Sequence, residues 1–386
     1  MGNYWEKSGW IEQDYHLKKI AEMPFQRSFP FIPEEDGLYI VRGPRQIGKT
    51  SWLKTVLAAH AHRHPCFYLS CENVSDHREL AEILASVRHC KLVLLDEVSF
   101  VKDWDRAVKH AVDAGQTSIL MLTGSHAHDL KKGADLMPGR FGAGGEFHLL
   151  PMSFDEFYES RLQAGWAGED RVKELEAYFR VGGFPSAVAE AGIDGKTPRR
   201  AMETYQRWLR GDMVKLGKSE GFLEELLIQL ALTQTTPLSF QTLAKKTTIG
   251  SHNTVQEYLS VLESCFALRT LHAIDLSTGA YRLKKDRKFY FTDPLIFWIA
   301  QELTGVKRSA TELYPKIAEL VAAHQIGRTH RRFGYHSNSD GEVDFILPGE
   351  WAIEVKWSDS ATNLSKSYLK LPLVNKKVWL KQNFLL

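Results

Sequence analysis

LYIVRGPRQIGKT, residues 38–50, is the stretch on which the reading of this chain turns. Four apolar residues, Leu38 to Val41, read as a buried strand. They run into GPRQIGKT (43–50), a complete G-x-x-x-x-G-K-[ST] pattern. TSWLKTVLAA follows with the composition of a helix. Strand, glycine-rich turn and helix in that order let backbone N–H groups surround a phosphate. The helix N-terminus adds partial positive charge. Gly43 and Gly48 are there for the curl of the turn, and Pro44, Arg45, Gln46, Ile47 and Ser51 complete the cradle. Lys49 is expected to reach the β- and γ-phosphates, and the Thr50 hydroxyl to ligate Mg²⁺. The bland alternative is a glycine-rich strand–helix turn that holds nothing.

Outward from this stretch, apolar runs recur at intervals of about 25–28 residues, the length of a strand–helix–strand unit. They are CFYLSC (66–71), KLVLLD (91–96), SILMLT (118–123) and EFHLLP (146–151). Apolar on every residue rather than alternating, they predict a parallel sheet with helices on both faces. A helix over 10–23 is expected to precede the first strand. KLVLLD ends on Asp96 and Glu97. Asp96 suits the carboxylate that holds Mg²⁺ through water. Glu97 suits the base that polarises the attacking water, with a solvated loop glutamate as its alternative. Thr123 and Ser125, at the end of the next strand, are placed to sense the γ-phosphate or the water, or else to cap a turn. Arg140, in MPGRFGAGG, reads as an arginine finger acting in cis or in trans, or as a solvated loop arginine.

The pattern changes after Pro151. SFDEFYESRL reads as a helix capped by Ser153, with Glu156 completing a capping box. Residues 171–217 read as helical, broken at VGGFPS (181–186). FLEELLIQLAL, a short segment around Leu243, and SHNTVQEYLSVLESCF give three helices. ALRTLHAIDL and RKFYFTD give two strands around a basic turn. Three helices and a two-stranded wing are the pattern of a winged helix-turn-helix. A helix over about 311–326, strands GEVDFIL and WAIEVKW joined through Pro348-Gly349, and a further strand in KKVWLKQ close the chain.

Composition bounds the partners. The 386 residues are 44% hydrophobic and 25% charged, ordinary values for a globular chain of two or three domains. A net charge of +2 means that any basic surface is local. Cys66, Cys71, Cys90 and Cys265 lack C-x-x-C spacing, so reduced thiols in a cytoplasmic protein are expected rather than a zinc site. The N-terminus shows no leader pattern, and no apolar run approaches the roughly 20 residues of a membrane span, so no membrane partner is expected.

GPRQIGKT, LLDEVSF, LTGSHAHDL, GRFGAGGEFHLLPMSFDEF and YFRVGGFPSAV together resemble the AAA-type prokaryotic ATPases of the archaeal-ATPase group, which carry a C-terminal domain of unknown function. The resemblance continues through SHNTVQEYLSVLE, KFYFTDP and GEVDFIL–WAIEVKW and so covers nearly the whole chain. It implies an α/β P-loop NTPase sheet with a helical lid, then a winged helix-turn-helix and a small α/β domain similar to restriction endonucleases. The expected division is an ATPase core over 1–160, a lid over 161–220, a winged helix over 221–300 and the endonuclease-like domain over 301–386. ATP and Mg²⁺ are the implied ligands.

Residues two apart on a strand share a face, so Glu342 pairs with Asp344 and Glu354 with Lys356. This resembles the PD-(D/E)-x-K arrangement. Asp344 and Glu354 would hold a second divalent metal and Lys356 would position the attacking water. Glu319 adds a carboxylate from the family's E-x-V-A-x-H pattern. An ordinary half-exposed strand pair is the alternative. Between residues 280 and 335, eleven Lys or Arg face five Asp or Glu, a local excess of six positive charges that suits a phosphate backbone. The function expected is ATP hydrolysis coupled to DNA binding or processing, with a homo-oligomer among the expected assemblies. The alternative is a nucleotide-driven switch or scaffold acting on a protein partner, without nuclease activity.

Overall fold

The computed structural model describes residues 3–5, 8–124, 127–361, 363–372 and 375–384. These fall into two compact units, Met1–Leu150 and Pro151–Leu386. The first unit contains β1 (Asn3–Trp5), α1 (Tyr15–Ala21), β2 (Gly37–Arg42), α2 (Lys49–His60), β3 (Cys66–Ser70), α3 (His77–Ser86), β4 (Leu92–Asp96), α4 (Trp104–Asp113), β5 (Ile119–Thr123), α5 (Ala127–Ala134) and β6 (Gly145–His148). The sheet order is β1-β3-β4-β5-β2-β6. The last five strands in that order are parallel, and β1 lies antiparallel on β3 at the edge. The five expected strands are all present; β1 is an addition. The expected helix over 10–23 is split. A 3-10 turn covers Ser8–Gln13, and α1 starts afresh where Asp14 accepts the amides of His16 and Leu17.

Both faces of this sheet are covered, which is why its strands do not alternate in polarity. Leu38 and Ile40, Phe67 and Leu69, Val93 and Leu95, and Leu120 and Leu122 face a core shared with Leu80 and Leu84 of α3 and Val108 and Ala111 of α4. The intervening residues Val41, Leu94 and Met121 are equally buried. Cys66, Cys71 and Cys90 are buried and Cys265 is partly exposed.

The second unit begins with α6 (Phe154–Gln163), α7 (Arg171–Val181), α8 (Pro185–Ala191) and α9 (Arg199–Lys215). Ser153 and Glu156 form the expected capping box at the start of α6. Next come α10 (Glu220–Leu232), α11 (Phe240–Lys245), α12 (His252–Ser264) and the antiparallel pair β7 (Leu268–His272) and β8 (Arg287–Phe291). The chain ends with α13 (Pro294–Leu303), α14 (Ala310–Thr329), β9 (Gly334–Asn338), β10 (Gly341–Leu347), β11 (Trp351–Val355), α15 (Lys366–Lys370) and β12 (Lys376–Trp379). These last strands form a mixed sheet, β12-β11-β10-β9, in which only β12 and β11 run parallel. The Ile274 amide donates to Tyr335 O at 2.8 Å, tying the chain beyond β7 to β9.

The VGGFPS break has a specific cause. Gly182 ends α7 at φ +79°, and a Cβ there would lie 2.1 Å from Asp293 Oδ1. Asp293 is fully buried and caps α13. Its carboxylate accepts the amides of Gly183 and Leu295, each at 2.8 Å. The glycine pair and the aspartate are therefore one device, joining residues 110 apart in sequence.

Candidate functional site

The P-loop occupies the turn between β2 and α2. Parallel α/β sheets place ligands at the carboxyl ends of their strands. The ends of β2, β4 and β5 carry the loop, Asp96 and Thr123. Gln46 and Gly48 adopt positive φ, +52° and +100°, which curls the loop over the start of α2. A Cβ on Gly43 would meet Leu149 O at 2.1 Å, so only glycine fits there.

Lys49 is buried, and its ammonium donates to Gly43 O at 3.0 Å and Pro44 O at 2.8 Å. It thus lies folded over the loop whose amides would meet a phosphate. Thr50 Oγ1 donates to Asp96 Oδ2 at 2.7 Å, although the two residues sit on different elements. A hydroxyl and a carboxylate this close form an all-oxygen donor set suited to Mg²⁺. Glu97 follows Asp96 at φ +57°, a left-handed conformation uncommon outside glycine. Such outliers persist where the surrounding structure enforces them.

Asp96 is held from three sides. Thr50 and Tyr68 (2.9 Å) donate to its Oδ2, and Thr123 donates to its Oδ1. Thr123, expected to face the γ-phosphate or the water, is wholly buried with its hydroxyl turned onto the Asp96 carboxylate. Tyr68 in turn carries the Lys54 ammonium over its ring, 3.6 Å from the centroid, and Lys54 is ion-paired with Asp14 at 2.6 Å. Burial first, then Asp96, pushes the Tyr68 phenol far above its ordinary value. Tyr68 is therefore a fixed donor. Burial raises Asp14, but the Lys54 hydrogen bond and local amides outweigh it and keep the carboxyl low. Arg27 donates to Ile47 O at 2.8 Å and Leu150 O at 2.6 Å, bracing the loop from outside. His16 Nε2 lies 3.0 Å from Ser51 Oγ. The sequence motif holds no signal for Tyr68, Lys54, Asp14 or Arg27, because each acts through folding and not through a local pattern.

Two expected residues fall elsewhere. Ser125 lies outside the described residues. Arg140 is not brought to the P-loop of its own chain. Its neighbour Phe141 accepts from Leu38 at the start of β2, the opposite end from the loop, and Arg140 itself pairs with Asp113 at 2.8 and 3.0 Å. The cis arginine finger is thereby corrected, since β2 separates the two ends of the sheet.

In the second unit two of the other expected residues, Glu319 and Asp344, meet together with Glu342. Glu319 of α14 and Glu342 and Asp344 of β10 bring carboxylate oxygens within 4.8 Å of one another. The pairing of Phe345 with Ile353 sets Glu354 beside Asp344 on β11, and Asp344 Oδ2 accepts the Val355 amide at 2.8 Å. Glu354 is 2% exposed. Lys356 reaches its Oε1 at 3.1 Å, while Glu354 Oε2 meets no donor among the described residues. Burial, then Glu319, pushes the Asp344 carboxyl well up, and burial raises Glu342 against the pull of Lys288.

Lys288 is the residue the sequence reading assigned wrongly. It belongs to the basic stretch expected to meet DNA, yet it is completely buried. Its ammonium pairs with Glu319 at 2.8 Å and with Glu342, and lies 3.9 Å from Asp344. Burial alone would lower its pKa, but Glu319 and the other acidic neighbours hold it well above the ordinary value. Alternation explains the error: Arg287 faces Phe240 at the surface, so Lys288 must face inward. Lys316 and Arg328 of the same stretch are also spent internally, on Leu232 O and on Glu156 and Pro151 O. Arg282, Lys284, Lys285, Lys307, Arg308, Arg331 and Arg332 stay exposed.

Comparison with known proteins gives a family match over the region that holds the first of these sites. Residues 35–158 match the family model described as an AAA domain, and residues 172–306 match a domain of unknown function. An uncharacterised protein of Methanocaldococcus jannaschii is 21% identical over 372 residues, 88% of this chain and 81% of that protein. An uncharacterised protein of Haemophilus influenzae is 26% identical over 210 residues, 52% of this chain and 50% of that one. Among solved structures, the Walker-type ATPase of Pyrococcus abyssi matches at TM-score 0.47 and 15% identity, covering 77% of this chain and 96% of that one. The ORC2 protein of Aeropyrum pernix matches at TM-score 0.42 and 13% identity, covering 82% and 93%. The AAA match spans the P-loop and Asp96, so residues 35–158 are similar to AAA domains.

Proposed function

We propose that this chain is a Mg²⁺-dependent ATPase whose nucleotide state controls DNA binding or processing by residues 151–386. The observation that carries the ATPase half is the 2.7 Å contact of Thr50 with Asp96 beside Lys49 and Glu97. When bound, Mg²⁺ would be held by Thr50 and, through water, by Asp96, and would neutralise charge on the β- and γ-phosphates. Lys49 exchanges its two loop carbonyls for phosphate oxygens. Glu97 accepts a proton from the attacking water. Tyr68 and Thr123 keep Asp96 oriented, so that little reorganisation is needed at the moment of reaction. Arg140 keeps one reading, as a finger offered in trans to a neighbouring copy.

The division of 151–386 into lid, winged helix and endonuclease-like domain belongs to this proposal. It is supported by the order of three helices and a strand pair followed by a mixed sheet. The set Glu319, Asp344, Glu354 and Lys356 fits a metal-dependent phosphodiesterase. Hard carboxylate oxygens favour Mg²⁺ or Mn²⁺, and an unsatisfied buried oxygen on Glu354 suits a cation. A bound ion would stabilise charge developing on a phosphate.

A second reading is favoured by the internal use of Lys288, Lys316 and Arg328. Less of the basic stretch is left for DNA, which suits a nucleotide-dependent switch or scaffold for a protein partner. ATP turnover with and without single- and double-stranded DNA separates the two. Stimulation supports the first; slow, DNA-insensitive turnover with tight nucleotide retention supports the second.

A further inference from the structure

The carboxylate cluster of the second unit contains a cation that the chain itself supplies. We propose that Lys288 is a built-in cation of this site, standing where a second divalent ion would sit, so that the site takes one divalent ion and not two. The inference rests on the metal-site reading above and adds to it the number of ions and the residue that sets it.

Two independent observations lead here. The first is position. The Lys288 ammonium lies among the same three side chains whose oxygens cluster most closely, paired with Glu319 and Glu342 and 3.9 Å from Asp344. Tyr290, two residues on along β8, also donates to Glu319, so Glu319 is committed to two donors. A divalent ion shared by Glu319 and Glu342 would have to take the place of the ammonium. The second observation is what is left over. Glu354 is buried beside Asp344, and its Oε2 has no donor among the described residues. Asp344 holds the Val355 amide on one oxygen, while the other is beyond hydrogen-bond reach of Lys288. Asp344 and Glu354 are therefore the pair with capacity to spare.

Charge gives the same count. In the ionised form that a metal requires, four carboxylates (Glu319, Glu342, Asp344 and Glu354) face two ammonium groups (Lys288 and Lys356), a formal excess of two negative charges in a region that is largely buried. Uncompensated buried charge is strongly unfavourable. One divalent ion balances it. Two ions with Lys288 in place would leave the site at plus two. Nucleases that use two metals set them about 4 Å apart on shared carboxylates; here a lysine from β8 fills that second place. Because Lys288 lies in the strand pair and the carboxylates lie on α14, β10 and β11, the strand pair is part of the metal site.

The test is a Mn²⁺ titration of the full chain without nucleotide, followed by calorimetry and by the electron paramagnetic resonance of free Mn²⁺. Ions lost on Asp344→Asn are assigned to this site. The wild-type protein is expected to bind one ion there, Lys288→Arg to stay at one, and Lys288→Met to bind two, or one at least tenfold more tightly. If Lys288→Met folds poorly, Mn²⁺ should restore its melting temperature towards that of the wild type. Two ions in the wild-type protein, or an unchanged count and affinity in a folded Lys288→Met, would overturn the role of Lys288 while leaving the metal site standing. No ion lost on Asp344→Asn would overturn the metal site itself.

Discussion

Thr50 Oγ1, in the first turn of α2, donates to Asp96 Oδ2 at 2.7 Å, although β2, which leads into the loop before α2, and β4, which ends on Asp96, are not neighbours in the sheet because β5 lies between them. The hydroxyl at the head of α2 and the carboxylate at the end of β4 meet only when the whole sheet is assembled. Asp96→Asn removes a negative charge from the metal set and leaves the fold's apolar layers untouched. Mg²⁺-dependent ATP turnover should fall at least a hundredfold, while thermal stability changes little. Tyr68→Phe removes one orienting donor at a typical cost of about 1 kcal/mol and should lower turnover less than Asp96→Asn does. Steady-state kinetics over a Mg²⁺ series read both effects.

Arg140 and Asp113 pair at the surface, away from the P-loop end of β2. Turnover of Arg140→Ala should stay within about twofold of wild type at protein concentrations where the chain is a single copy. A fall of about a thousandfold there would restore a role within one chain. A deficit that grows only at high concentration, and that mixing with Lys49→Ala relieves, would mark a contribution in trans.

Lys288→Ala leaves Glu319 and Glu342 without their buried partner. Loss of one member of a buried pair typically costs about 3–5 kcal/mol. Urea unfolding of this variant should show that loss in the second unit. DNA affinity should distinguish it from its neighbours. Replacing the exposed Arg282, Lys284 and Lys285 by Glu should weaken binding and flatten the salt dependence by about one unit of slope per lost phosphate contact. A Lys288 substitution that still folds should leave that slope unchanged.

Asp293 predicts a pH dependence. Burial raises its carboxyl from 3.8 to about 7, against the two amides that lower it. The folded state then holds this proton more tightly than the unfolded chain does. Stability from this group is fully present below about 3.8 and is lost as pH rises through about 7. Unfolding midpoints should therefore drop as pH rises from about 4 to about 7 and level off above that, and Asp293→Asn should flatten that dependence while losing one of the two amide contacts.

The sequence carries most of the first unit on its surface. A buried parallel strand has to be apolar along its length, and a phosphate loop has to place glycine where the backbone turns left-handed, so both leave marks that spacing reveals. Asp96, Lys49 and Thr50 were legible for that reason. Tyr68 and Arg27 were not, because a tyrosine in a strand and an arginine in a loop look alike whether or not they brace a site. Lys288 failed in an instructive way. Counting charges along RLKKDRK treats every cation as solvated, while strand alternation turns one of them inward onto carboxylates that lie 31 to 56 residues later in the chain. The strands β9 and β1 were missed because Gly334–Asn338 and Asn3–Trp5 are too short and polar to show a period.

Lys49, Thr50, Asp96 and Glu97 are proposed to form one site that hydrolyses ATP, with Glu97 as the base. Single-turnover hydrolysis of ATP by Glu97→Gln, set beside nucleotide binding by the same protein, tests it most directly. ATP should bind with near wild-type affinity while the rate falls about 10²–10⁴-fold. Wild-type hydrolysis by a clean Glu97→Gln preparation would contradict Glu97 as the base.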